Sequence, residues 1–146
     1  MYLIRGQHNL ELFKEKFPGV ILHGTIGNFD GLHVGHQSIL HKIKTNAKKT
    51  NSKTIVFFTE PHASEYFANK QDFKFLPPPR ICSWREKFEL LRDFGIDFAF
   101  FLRFNNSLQT MTPEKFISDI LDNVGLCSFT VGDDFRFGIN LSLIHI

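Results

Sequence analysis

Four near-continuous apolar runs, separated by amphipathic stretches, constrain this chain most. The runs span residues 20–26, 54–59, 98–102 and 129–131. None alternates polar with apolar, the pattern of a strand buried on both faces. Residues 35–48 place Ile39, Leu40, Ile43 and Ala47 on one side at helical spacing. Residues 84–94 open with Ser83 and Glu86 in capping-box spacing, put Trp84, Phe88 and Leu91 on one face, and stop at Gly95. Residues 113–124 follow Thr112, start with Pro113 at the first helical position, and turn Phe116, Ile117, Ile120 and Leu121 inward. Strand–helix alternation predicts an α/β fold, a parallel sheet with helices on both faces. In such sheets ligands bind beyond the carboxyl ends of the strands.

Three polar clusters directly follow apolar runs, so they are expected at one sheet edge. The first is Gly27-Asn28-Phe29-Asp30-Gly31-Leu32-His33-Val34-Gly35-His36. It reads as strand, glycine-rich turn and helix start. Glycines let backbone approach a ligand, and free N–H groups at a helix start favour an anion. His33 and His36 lie three apart at that positive end, where imidazole N–H donors suit phosphate oxygens and the added charge of a phosphorus under attack. Two other readings stand beside this one: a pair of zinc ligands, although no third ligand follows at zinc-like spacing, and an ordinary turn with surface histidines.

The second cluster is Glu60-Pro61-His62. A histidine just past a buried strand suits contact with phosphate or a ring, or serves as a satisfied structural residue. The third is Gly132-Asp133-Asp134-Phe135-Arg136-Phe137-Gly138. Acids at a strand end hold ribose hydroxyls or a hydrated magnesium ion, and an arginine pairs with phosphate bidentately. Phe135 and Phe137 alternate with Arg136 and point to an adenine or to the core. The competing reading is a hairpin-like turn with a surface ion pair. The proline-rich stretch 73–80 is extended, either a plain linker or a flap. Arg85 and Lys87 read as a solvated helix face, and 42–53 as a solvated helix end and loop.

At 146 residues the chain is expected to be one domain with a real core. Its formal charge of +2, with no basic run interleaved with aromatics, gives nucleic-acid binding no electrostatic support. Cys82 and Cys127 lack a partner motif and read as reduced core fillers. The start has no apolar signal region and no run reaches membrane-spanning length, so no membrane partner and a cytoplasmic location are expected. Most of the 18 phenylalanines are expected in the core.

His-x-Gly-His after a strand resembles the signature of the HIGH-type nucleotidyltransferases, whose fold is a Rossmann-like parallel sheet. The ten-residue form from Gly27 to His36 is similar to one branch, the FAD synthetase (FMN adenylyltransferase) module of bacterial bifunctional riboflavin kinase/FAD synthetases. Phe57 to Phe67 resembles that family's second block, with Ala63 where a second proline is usual. Ser83 to Leu91, Met111 to Ile117, and Val131 to Gly138 match three further blocks. The resemblance implies transfer of AMP from ATP to FMN, giving FAD and pyrophosphate, with magnesium. It implies His33 and His36 as catalytic. It gives Gly27, Asn28, Phe29, Asp30, Gly31, Gly35, Asp134 and Arg136 as ATP-binding, and His62 and Phe57 as flavin or phosphate candidates. It assigns no metal ligands. It implies a domain over 1–138, incomplete at its C-terminal end, a tail at 139–146 that does not match, and a riboflavin kinase barrel absent from this chain. The alternatives are another HIGH-type transferase, of cytidylyl or pantetheine-phosphate or nicotinate-mononucleotide type, and an inactive nucleotide-binding fragment.

Overall fold

The computed structural model describes residues 1–70, 76–77, 79–133, 135–137 and 142–143. Five parallel strands form one sheet in the order β1-β4-β3-β2-β5: β1 Tyr2–Arg5, β2 Leu22–Ile26, β3 Lys53–Glu60, β4 Phe98–Arg103 and β5 Leu126–Thr130. The helices are α1 Leu10–Lys16, α2 Val34–Lys49, α3 Ala63–Lys70, α4 Trp84–Asp93, α5 Asn106–Gln109 and α6 Pro113–Phe116. A short antiparallel pair, β6 Arg136–Phe137 and β7 Ser142–Leu143, forms a second sheet.

The period-two geometry of a strand sorts each apolar run between two cores. Ile55 and Phe57 of β3, with Phe98, Phe100 and Leu102 of β4, face Phe13 of α1, Leu108 of α5 and Phe116 of α6. Val56 and Phe58, with Ala99 and Phe101, face Leu40 and Ile43 of α2 and Leu91 of α4. Both faces are therefore covered, and the inner strands carry no polar alternation. The predicted parallel sheet with helices on both faces is the observed one.

Local chemistry sets the helix starts. Ser83 and Glu86 close the predicted capping box on α4. The Thr112 side chain accepts from the Lys115 N–H, with Pro113 in the first turn of α6. The expected continuous helix over 113–124 is instead α6 followed by a wider turn over Ile117–Leu121, where the Asp122 N–H reaches the Ile117 carbonyl at 2.9 Å. The sequence pattern does not announce strand β1 or helices α1, α3 and α5. They are short, and α3 has no fully buried residue, so their apolar pattern is weak. Cys82 is buried as expected, but Cys127 is exposed, because it sits on the sheet-edge strand β5.

Candidate active site

The loop between β2 and α2 is held in a conformation that side chains ordinarily avoid. Phe29 and Leu32 both have left-handed backbone, with φ of 47° and 44°, and Gly31 lies between them at 70°. Left-handed backbone at non-glycine residues costs on the order of 1–3 kcal/mol each and persists only where surroundings over-determine it. Here both side chains are buried in the core beneath α2 and α4, which fixes the loop from below. Above, the Asp30 carboxylate accepts from the N–H groups of Ile81 and Cys82 at 2.8 and 2.9 Å and from the Cys82 thiol at 3.2 Å. Burial pushes the Asp30 carboxyl up, but those donors and the Lys87 cation outweigh it and hold it down at about 2.

His33 caps α2, its Nδ1 accepting from the His36 N–H at 3.4 Å. In the neutral ring this leaves the proton on Nε2. The two rings stack with centroids 3.7 Å apart and planes inclined by 23°. Gly35 makes room for this, since a Cβ there would lie 3.2 Å from the His33 ring. The His36 ring also packs on Phe29 at 4.9 Å, and its Nδ1 is buried with no hydrogen-bond partner. Burial, then the neighbouring His33 and Lys87, push His36 down to about 4 against the opposing pull of Asp30. His36 is therefore a neutral imidazole at physiological pH.

His36 lines a cavity of about 390 Å³ at the carboxyl edge of the sheet, together with Gly27, Asn28, Thr59, Phe104 and Gly132. These residues come from the ends of β2, β3, β4 and β5. Phe29 also lines it, and so does Phe135, whose ring packs on Phe129 at 6.4 Å. The sequence-predicted clusters thus converge, though not every expected member reaches the cavity. His33 and Gly35 stand beside it on α2, and Asp30 and Gly31 face the start of α4. Asp134 lies outside the described residues. Arg136 pairs with Leu143 between β6 and β7, and its side chain lies outside them too. Among the described residues no group of three or more histidine, cysteine, aspartate or glutamate side chains is arranged to hold a metal ion. A larger cavity, about 580 Å³, opens past β1 and β4 over Trp84 and Phe101, but it holds neither His33 nor His36.

Two expected ligand residues sit elsewhere. Phe57 is fully buried, packed on Phe100 and Phe129 at 5.4 and 6.2 Å, so its ring is unavailable; its carbonyl accepts the Gly27 N–H at 3.1 Å instead. His62 is also buried, its Nε2 3.0 Å from Lys87 Nζ, while its neighbours Thr59 and Ala63 line the cavity. Lys87, read from sequence as solvated, is entirely buried. It is the inward residue of α4 beneath the capping box, and its spacing alone does not distinguish it from the exposed Arg85. Arg80 bridges Glu60, at 2.7 and 3.0 Å, and Glu65, whose carboxylate also accepts the His62 N–H. No pattern in the sequence marks this ion cluster, because its members come from three separate segments.

Comparison with known proteins agrees with the geometry. The FAD synthetase family model matches residues 20–142. The bifunctional riboflavin kinase/FMN adenylyltransferase of Escherichia coli K12 is 38% identical over 139 residues, covering 94% of this chain and 42% of that protein. Its counterpart in Buchnera aphidicola of Schizaphis graminum is 35% identical, covering 99% of this chain and 45% of the relative. The chain thus spans less than half the length of these relatives. A macrolide-efflux protein of Streptococcus pneumoniae, known from its crystal structure, superposes with a TM-score of 0.77 over 97% of this chain and 44% of that one, at 17% identity, a likeness of fold alone. With a family model spanning the glycine loop, the histidine pair and all of the sheet except β1, this chain belongs to the FAD synthetase family.

Proposed function

We propose that the chain catalyses adenylyl transfer from ATP to FMN, yielding FAD and pyrophosphate. The observation that carries this reading is the stacked His33–His36 pair at the amino end of the 16-residue helix α2, beside a cavity fed by four parallel strands. The FMN phosphate is already ionised at neutral pH, so attack on the α-phosphorus needs no general base. Catalysis is then placement plus neutralisation of developing charge. The outward Nε2–H of His33, a neutral His36 and the free N–H groups of α2 supply donors where that charge develops. Gly27 and Asn28, with Gly132 and Phe135, line the cavity that would take the nucleotide. Asp30 acts through the loop, since its oxygens are committed to Ile81 and Cys82. Magnesium enters with ATP as part of the substrate, and no step is assigned to a protein-held ion. FMN made by a riboflavin kinase, the activity fused to this domain in the relatives' names, would be the acceptor.

The test is a substrate panel. Purified protein offered ATP or CTP with FMN or glycerol phosphate is expected to release pyrophosphate only with ATP and FMN. Turnover with CTP and glycerol phosphate, and none with ATP and FMN, would assign a cytidylyltransferase instead.

A further inference from the structure

Lys87 is the least expected side chain in the molecule. A fully buried lysine is rare unless paired, because desolvating an ammonium ion is costly. Its surroundings offset part of that cost. Its Nζ lies 3.0 Å from His62 Nε2 and 5.2 Å from the centroid of the Phe58 ring on β3. Burial pushes the Lys87 ammonium below its ordinary value and Arg80 adds to that, against the pull of Asp30 from the loop after β2 and Glu60 from the end of β3. An ammonium has donors only, so His62 Nε2 accepts, and the proton of the neutral ring sits on Nδ1. Burial, then Lys87 and Arg80, hold His62 below its ordinary value, which keeps the ring neutral.

We propose that Lys87 is a positioning residue for the transfer site, one buried cation that fixes the tautomer of His62 and holds the Pro61-His62 turn, whose neighbours Thr59 and Ala63 line the cavity. It joins α4 to the Pro61-His62 turn through His62 Nε2 and to β3 through the Phe58 ring, and α4 follows directly on the Ile81–Cys82 stretch whose N–H groups the Asp30 carboxylate accepts. It is not among the residues that line the cavity, so it acts through its neighbours. The inference rests on the reading of His36 as a donor to the α-phosphate.

Two measurements on the full 146-residue chain test it. Long-range ¹H–¹⁵N spectra of the histidine rings should show His62 protonated at Nδ1, with Nε2 accepting; a proton on His62 Nε2 overturns the proposal without any variant. In Lys87→Met, which keeps length and loses charge, the His62 proton should no longer be confined to Nδ1. Lys87→Arg, which keeps the charge, should leave it there. Turnover of Lys87→Met should fall about tenfold or more, with a smaller change in KM for ATP, as expected of displaced rather than deleted groups. An unchanged His62 tautomer in folded Lys87→Met, or a loss confined to KM, overturns the proposal. The tautomer readout needs no turnover, so a wild-type protein that makes no FAD would fault the reaction and not the positioning.

Discussion

Two histidine sites stand at the same edge of the sheet and are built in opposite ways. His62 is sealed: its ring is bonded to Lys87, its N–H to Glu65, and its carbonyl to the Tyr66 N–H. The His33–His36 pair is unfinished. His33 is exposed, His36 is half-buried, and one His36 nitrogen has no partner. Burying a polar atom without a partner costs free energy that a protein of marginal stability rarely spends without return. On the proposed reading, the difference separates a histidine that holds the site from histidines that meet a ligand, although both follow a buried strand directly.

The largest effect should come from opening the sealed site. His62→Leu leaves the Lys87 ammonium without its acceptor and should cost about 3 kcal/mol of stability, read by urea unfolding. A loss under about 1 kcal/mol would show that the carboxylates around Lys87 suffice. Next comes the open site. His36→Ala should cut turnover about a hundredfold, the scale of one lost oxyanion donor, with a smaller change in substrate affinity and little change in stability. A stability loss matching that of His62→Leu would erase the distinction. Ser83→Ala, which removes the cap of α4 beneath the sealed cluster, should cost about 1 kcal/mol in thermal melts. Arg85→Ala on the exposed face of the same helix should change stability by less than about 0.5 kcal/mol.

Acid should weaken the molecule in stages. His36 and His62 are held below 6.5, and Asp30 is held below 3.8. A group depressed in the folded state stabilises fully above its ordinary value and loses that contribution as pH falls through the folded one. Melting temperature should therefore decline as pH drops from about 6.5 towards 4 through the histidines, then again towards 2 through Asp30.

The sheet was legible because each inner strand carries its own signal: Phe98 to Leu102 is buried on both faces and contains no polar residue to blur it. The glycine loop was legible because it sits between such a strand and a helix with a clear apolar face. The sequence does not announce the burial of Lys87, His62 and the Phe57 ring, for a shared reason. Sequence spacing gives the element and the side of a residue, while burial depends on what packs against that side. The ion pairs of Arg80 with Glu60 and Glu65 join residues fifteen and twenty positions apart, and nothing local announces them. Cys127 faces out because β5 is an edge strand, a matter of strand order rather than composition.

The contrast between the two sites is tested most directly by titrating ATP with magnesium into the 146-residue chain while following the histidine ring resonances. The account predicts that His33 and His36 shift together and saturate at one ATP per chain, with the His62 ring nearly still and its Nδ1 proton retained. Movement of His62 with ATP, while His33 and His36 stay in place, would contradict it.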